Sequence, residues 1–208
     1  MKSSRNHTGM LLFVYILIGL VLSGIVTVGI YRTFSEQLLS VCGILIVCIV
    51  LVALLAFFLS NASKAILKVI GYLLSIVGFS IFVLVFYQIF ASSDLVEVYM
   101  FFYGSAIAGE LLLWIGTAIS KGKRMYMGII SFICIAVSVL VLGMGMNCGI
   151  KVAMAMLIML AYLYISTIYY FDYEDWNNME ILEKSGMIFN IVAFFISMYG
   201  RYTGSWKR

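Results

Sequence analysis

A chain of 208 residues that is 64% hydrophobic and 11% charged, with a mean hydropathy of +1.14, is not a water-soluble globule, because soluble domains carry about a quarter charged residues. Its net charge of +4 sits in short breaks between apolar runs, so it orients the chain in a lipid bilayer and marks no nucleic-acid surface. Those runs are about twenty residues long, the length of a membrane-crossing helix, which excludes the roughly ten-residue alternation of a membrane β-barrel.

The expected fold is all-α: a single polytopic membrane domain over 1–208, a bundle of six transmembrane helices plus a short seventh C-terminal helix. The spans are placed at about 10–31, 38–60, 66–91, 95–119, 125–147, 149–171 and 186–202. With no proline in the chain, any kink rests on glycine, a π-bulge or an inserted polar group.

The first run follows Lys2 and Arg5 as a signal peptide would. It is too long, lacks a small-residue cleavage site and precedes further spans, so it reads as a retained first helix. Lys64 and Lys68, then Lys121, Lys123 and Arg124, fall in alternate loops on the same side as Lys2 and Arg5; the opposing loops carry Arg32 and Lys151. The positive-inside rule therefore places the N-terminus in the cytoplasm. No eukaryotic retention or transit signal is present, and the expected location is a plasma-type cell membrane. Cys42 and Cys148 fall near the outer surface, where pairing or free thiols are both open; Cys48 and Cys134 read as packing residues.

The fourth run, GSAIAGELLLWIG, holds Glu110 near its middle. An ionisable residue at that depth costs a few kcal/mol and faces the bundle interior or a water-filled cavity. Two readings stand: a proton- or cation-responsive carboxylate, or a neutral glutamic acid making one structural hydrogen bond. Gly104, Ala108 and Gly109 nearby are small enough to admit a neighbouring helix.

Asp172 closes the sixth run, and the acidic connector behind it carries Glu174, Asp175, Glu180 and Glu183. The acids from Glu174 to Glu183 read as a solvated helix face. In the last run Gly186, Asn190, Ala193, Ser197 and Gly200 or Arg201 recur at three- and four-residue steps, with Phe189, Phe195, Ile196 and Tyr199 on the other sides. The stripe has no lysine, so it suits a helix packed inside the bundle better than one lying on the membrane surface. If that helix crosses, the basic tail Arg201, Lys207, Arg208 lies outside; if it is re-entrant, the tail lies inside. Asp172, Asn190 and Glu110 all fall in the cytoplasmic half and could converge as a polar plug, or Asp172 is simply a solvated loop residue.

The lone histidine, His7, leaves haem, zinc and histidine-dependent nucleophile schemes without their parts. No glycine-rich phosphate loop is present, and one acidic run at Asp172–Asp175 is a weak Mg²⁺ signal. No enzyme, cofactor, resident metal or nucleic-acid partner is expected; the bilayer itself is the one partner the composition names.

Tyr170-Phe171-Asp172, then IFNIVAFFISMYGRYTG from Ile188 to Gly204, together with GTAISKGKR from Gly116 to Arg124, resemble the Bax inhibitor (transmembrane BAX inhibitor motif) family. The resemblance implies six helices around a central C-terminal one, and a pH-sensitive leak of calcium or another cation. In eukaryotes and viruses it also implies protection from cell death. It further implies a proton-sensitive aspartate pair, one at the end of the sixth span and one in the seventh. Asp172 takes the first position, but Asn190 takes the second and cannot titrate. Asp172–Asn190 is then a pH-insensitive latch, or Glu110 or Glu174 supplies the second carboxylate, or conduction has been lost. The gating and ion-pathway candidates are Asp172, Asn190, Glu110, Glu174, Ser197 and Arg201. The rival is a non-conducting interaction, immunity or accessory-subunit protein that packs on unspecified partners through Gly19, Gly24, Gly143 and Gly145.

Overall fold

A computed structural model describes residues 2–90, 95–119, 124–145, 149–172 and 180–202, with some side chains inside those ranges, such as those at 2–9, 35–42, 172 and 200–202, left outside the description. The elements are α1 (Lys2–Ser60), α2 (Ala65–Phe90), α3 (Leu95–Ile119), α4 (Arg124–Gly145), α5 (Gly149–Asp172), α6 (Ile181–Ile188) and α7 (Ile191–Tyr202). Among the described residues there is no strand. Backbone that meets lipid must bond to itself, and a helix does so within one segment.

The first two expected spans fall in one helical element, α1. A straight helix would hold Tyr15 and Ser60 about 68 Å apart at 1.5 Å per residue. Both nevertheless lie on the same turn of α2. The Tyr72 hydroxyl donates to the Tyr15 carbonyl at 2.6 Å, and a Cβ on Gly71 would sit 2.7 Å from Ser60 N and Oγ. The chain therefore doubles back inside α1, between the apolar stretches Met10–Phe34 and Gly43–Ser60. Its first half runs parallel to α2, Tyr15 beside Tyr72 and Ser23 beside Ser80. Its second half runs antiparallel, Val52 beside Gly78 and Ser60 beside Gly71.

Among the described residues, five helical stretches are long and apolar enough to cross a bilayer: those two, Ala65–Ile89, Leu95–Gly116 and Gly149–Phe171. In α4 the described side chains include the apolar stretch Gly128–Val141. Ile16, Leu20, Phe79, Val83, Tyr87 and Phe102 are buried between helices, while Ile25, Ile44, Phe58 and Ile158 face outward. Helices that are apolar on both their inner and outer faces belong in lipid, and the chain is an integral membrane protein with an all-α bundle. Cys48 and Cys134 are free and lie on the outer faces, so they are not packing residues as expected; the side chains of Cys42 and Cys148 lie outside the description.

Two interhelical devices hold the bundle together. At one, small residues let backbones approach: Ala56 and Ser60 of α1 lie against Gly71 of α2, the small-xxx-small solution used where lipid gives no hydrophobic drive. At the other, hydroxyls substitute for water. Ser23 Oγ lies 2.8 Å from both Ser80 Oγ and the Tyr103 hydroxyl, which is 2.7 Å from Thr27 Oγ1, so α1, α2 and α3 meet in one buried cluster.

Candidate functional site

The expected seventh helix is broken. α6 ends at Ile188, α7 begins at Ile191, and the two axes differ by 103°. Residues Glu183 to Asn190 are all buried, so it is α6 and the break that occupy the interior, packed against both halves of α1, against α2 and against α5. α7 is more peripheral, with Phe195 and Tyr199 exposed.

The contacts trace a descent and a return. At the rim, Lys68 Nζ of α2 lies 3.2 Å from Glu180 and 3.5 Å from Glu183. One turn deeper, Gly186 lies 3.4 Å (measured from an added Cβ) from the Tyr72 backbone and 3.5 Å from Ser60 Oγ. Deeper still, Ile188 O accepts from the Tyr162 hydroxyl at 2.8 Å. The Phe189 ring seats against Gly19, where any Cβ would collide with it, and meets Phe79 edge-on at 5.5 Å. α7 then runs back along α5. Phe194 touches Tyr162 at 5.5 Å and Tyr169 at 5.7 Å between ring centroids, and Ser197 accepts from the Tyr170 hydroxyl at 3.3 Å. Tyr170 belongs to the end of α5 that lies level with the start of α1, where Phe171 meets Phe13. Within the described residues, α7 therefore turns back toward the end of the bundle from which α6 sets out.

Asn190 makes the turn possible. Its side-chain oxygen accepts from the Ala193 N–H at 2.9 Å, the N-cap bond that satisfies an orphan donor at a helix start. Its amide donates to the Ala53 carbonyl at 2.7 Å. One side chain thereby caps α7 and pins the tip to α1. The stripe of Gly186, Asn190, Ala193 and Ser197 does face inward, although across two helices and a break, where one straight helix was expected.

Glu110 belongs to a different station. It is 1% exposed; its Oε1 accepts from Thr167 Oγ1 of α5 at 2.9 Å, and its Oε2 has no hydrogen-bond partner among the described residues. The Tyr164 hydroxyl, one turn along α5, is likewise buried without one and lies against Gly109. No hydrogen bond joins Glu110 to Asn190, and the side chain of Asp172, the third member of the expected plug, lies outside the described residues. What the two stations share is α5, where Thr167 holds Glu110 and Tyr170, on the next turn, holds Ser197.

Asp172 ends α5, but its side chain lies outside the described residues, as do Glu174 entirely and the Arg201 side chain. Glu183 corrects the reading of the connector acids as a solvated face: it is 8% exposed and pairs with Lys68. Lys68 was legible only as a topogenic charge, and its ion pairs to Glu180 and Glu183 are a contact the sequence concealed. The hydroxyl cluster carried a faint signal, Ser23 and Thr27 one turn apart on an otherwise apolar helix. Gly19, Gly24 and Gly143, the faces a docking partner would use, already meet Phe189, Tyr103 and Ala153 of the same chain; Gly145 lies outside the described side chains.

No family model, curated protein or solved structure matches the chain.

Proposed function

We propose that this integral membrane protein is a Bax-inhibitor-like cation pathway, with calcium its candidate ion, held closed by α6–α7 acting as a re-entrant plug. The observation that supports it is the break at Phe189–Asn190. Non-helical backbone at membrane depth is tolerated where protein encloses it or where it lines an aqueous cavity, and broken helices bring their ends to ion and substrate sites in transporters. The plug is held at its rim by Lys68, at mid-depth by Gly186 and at its tip by Asn190. Only the rim lies where hydrated charges compete, so opening begins there. Glu110, with one oxygen unmatched, is the carboxylate a permeating cation would meet. The experiment is reconstitution into calcium-loaded liposomes across a range of pH. Leak that rises in Lys68→Met and Asn190→Ala and changes in Glu110→Gln supports the pathway; no leak from any of these proteins at any pH refutes it.

A further inference from the structure

The tip of α6–α7 does not fill the whole space between the second half of α1 and α2. Beyond it, toward the end of α2 away from Lys68, lies a cavity of about 290 Å³. Ile46 and Val50 of α1 and Phe82 and Phe86 of α2 form its walls, and Asn190 and Val192 close its floor. Ile46, Val50 and Ile89 along its edge are exposed on the outer face of the bundle, so the cavity opens sideways into hydrocarbon.

Its chemistry selects the occupant. The wall carries two polar side chains: Ser75, which donates to Gly71 O at 2.9 Å, and Asn190, which uses one amide N–H on Ala53 and its oxygen on Ala193. Every other lining side chain is apolar, so a water, which needs two to four polar partners, is poorly held along most of the cavity, while an empty void forfeits the dispersion contacts of its lining. Along α2 the lining runs from Ser75 to Ile89, about 21 Å at 1.5 Å per residue, long enough to take an acyl chain that spans one leaflet, about 15 Å of a 30 Å hydrocarbon core.

We propose that this cavity binds one acyl chain of a bilayer phospholipid, which enters laterally between α1 and α2 and ends against the Phe189–Asn190 break. The bound chain completes the packing of the first turn of α7, which protein atoms leave open at Ile191 and Val192. The site is independent of whether the protein conducts.

The test uses the full chain in phosphatidylcholine vesicles in which one acyl chain carries a diazirine near its methyl end. After irradiation, mass spectrometry of the digested protein maps the cross-links. Labelling of Phe82, Phe86 and Val192 should exceed that of lipid-exposed Ile25 and Ile158 several-fold. Gly78→Leu, which puts a side chain into the cavity, should lower pocket labelling several-fold and leave Ile25 and Ile158 unchanged; Ile191→Trp provides a second filling variant should the first not fold. Even labelling of pocket and outer faces in the unaltered protein overturns the proposal, as does pocket labelling undiminished in a folded filling variant.

Discussion

The Asn190 side-chain amide donates to the carbonyl of Ala53, 137 residues away in the chain, at 2.7 Å. The same side chain caps α7 through Ala193. The amide donor is what the Ala53 carbonyl requires of this position. A carboxylate would keep the cap but set an acceptor against a carbonyl oxygen.

Three substitutions separate those two roles. Asn190→Ser keeps a capping oxygen and loses the Ala53 bond; Asn190→Ala loses both; Asn190→Asp keeps the cap and confronts two acceptors. Losing the cap costs about 1 kcal/mol, and leaving a buried polar group unmatched costs about 1–3 kcal/mol. Thermal unfolding in detergent should rank Ser as least damaging, with Ala and Asp below it. An Asp variant as stable as the parent would show that the Ala53 contact contributes nothing.

Lys68 reaches across from α2 to the first turn of α6, and its two acidic partners differ in setting: Glu180 is largely exposed, Glu183 largely buried. Removing the lysine leaves Glu183 as a partly buried charge without its counter-ion, at a cost on the order of 3 kcal/mol for a fully buried pair and less here. Lys68→Met should loosen the tail, seen as faster proteolysis in the connector. Lys68→Met combined with Glu183→Leu should restore most of the protection, because both charges leave together. Equal sensitivity of the single and double variants would place the contribution of Lys68 elsewhere.

Fold class and the rough number of apolar segments were legible because hydrocarbon demands long apolar helices, and nothing else in this composition competes with that demand. Asn190 and Ser197 were legible as inward-facing because small and polar residues recur on helical period. The break between Ile188 and Ile191 was not. No proline or glycine marks it, and it is created by tertiary partners: Ala53 for the amide, Gly19 for the Phe189 ring, Tyr162 for the Ile188 carbonyl. Glu183 was misread, and its pairing with Lys68 missed, for a related reason. Charges near a predicted interface look solvated until a re-entrant segment is known to cover them.

Gly109 is a packing requirement, as the Tyr164 hydroxyl occupies the place of its missing Cβ, with Ile135 beside it. Overpacking a filled interior costs about 1–3 kcal/mol. Gly109→Ala should therefore lower the unfolding temperature, and Tyr164→Phe in the same protein should recover part of the loss by withdrawing the hydroxyl. That hydroxyl has no hydrogen bond to lose among the described residues, so Tyr164→Phe alone should be close to neutral. A strongly destabilising Tyr164→Phe would contradict this account of the α3–α5 contact.

The route of α7 makes a prediction about the side on which the chain ends. α6 starts beside Lys68, the break lies beside Ala53, Phe79 and Tyr162, and Ser197 is back beside Tyr170. A helix continuing across the bilayer would instead meet the start of α5, near Val152, and the far end of α2, near Tyr87. The contacts of Phe194 with Tyr169 and of Ser197 with Tyr170 place α7 beside the other end of α5. A reporter fused after Arg208 should therefore be reached by an impermeant reagent from the same side as a cysteine placed in the Asn61–Lys64 turn. Labelling of the two sites from opposite sides would require α7 to cross, and with it the plug would become an ordinary span.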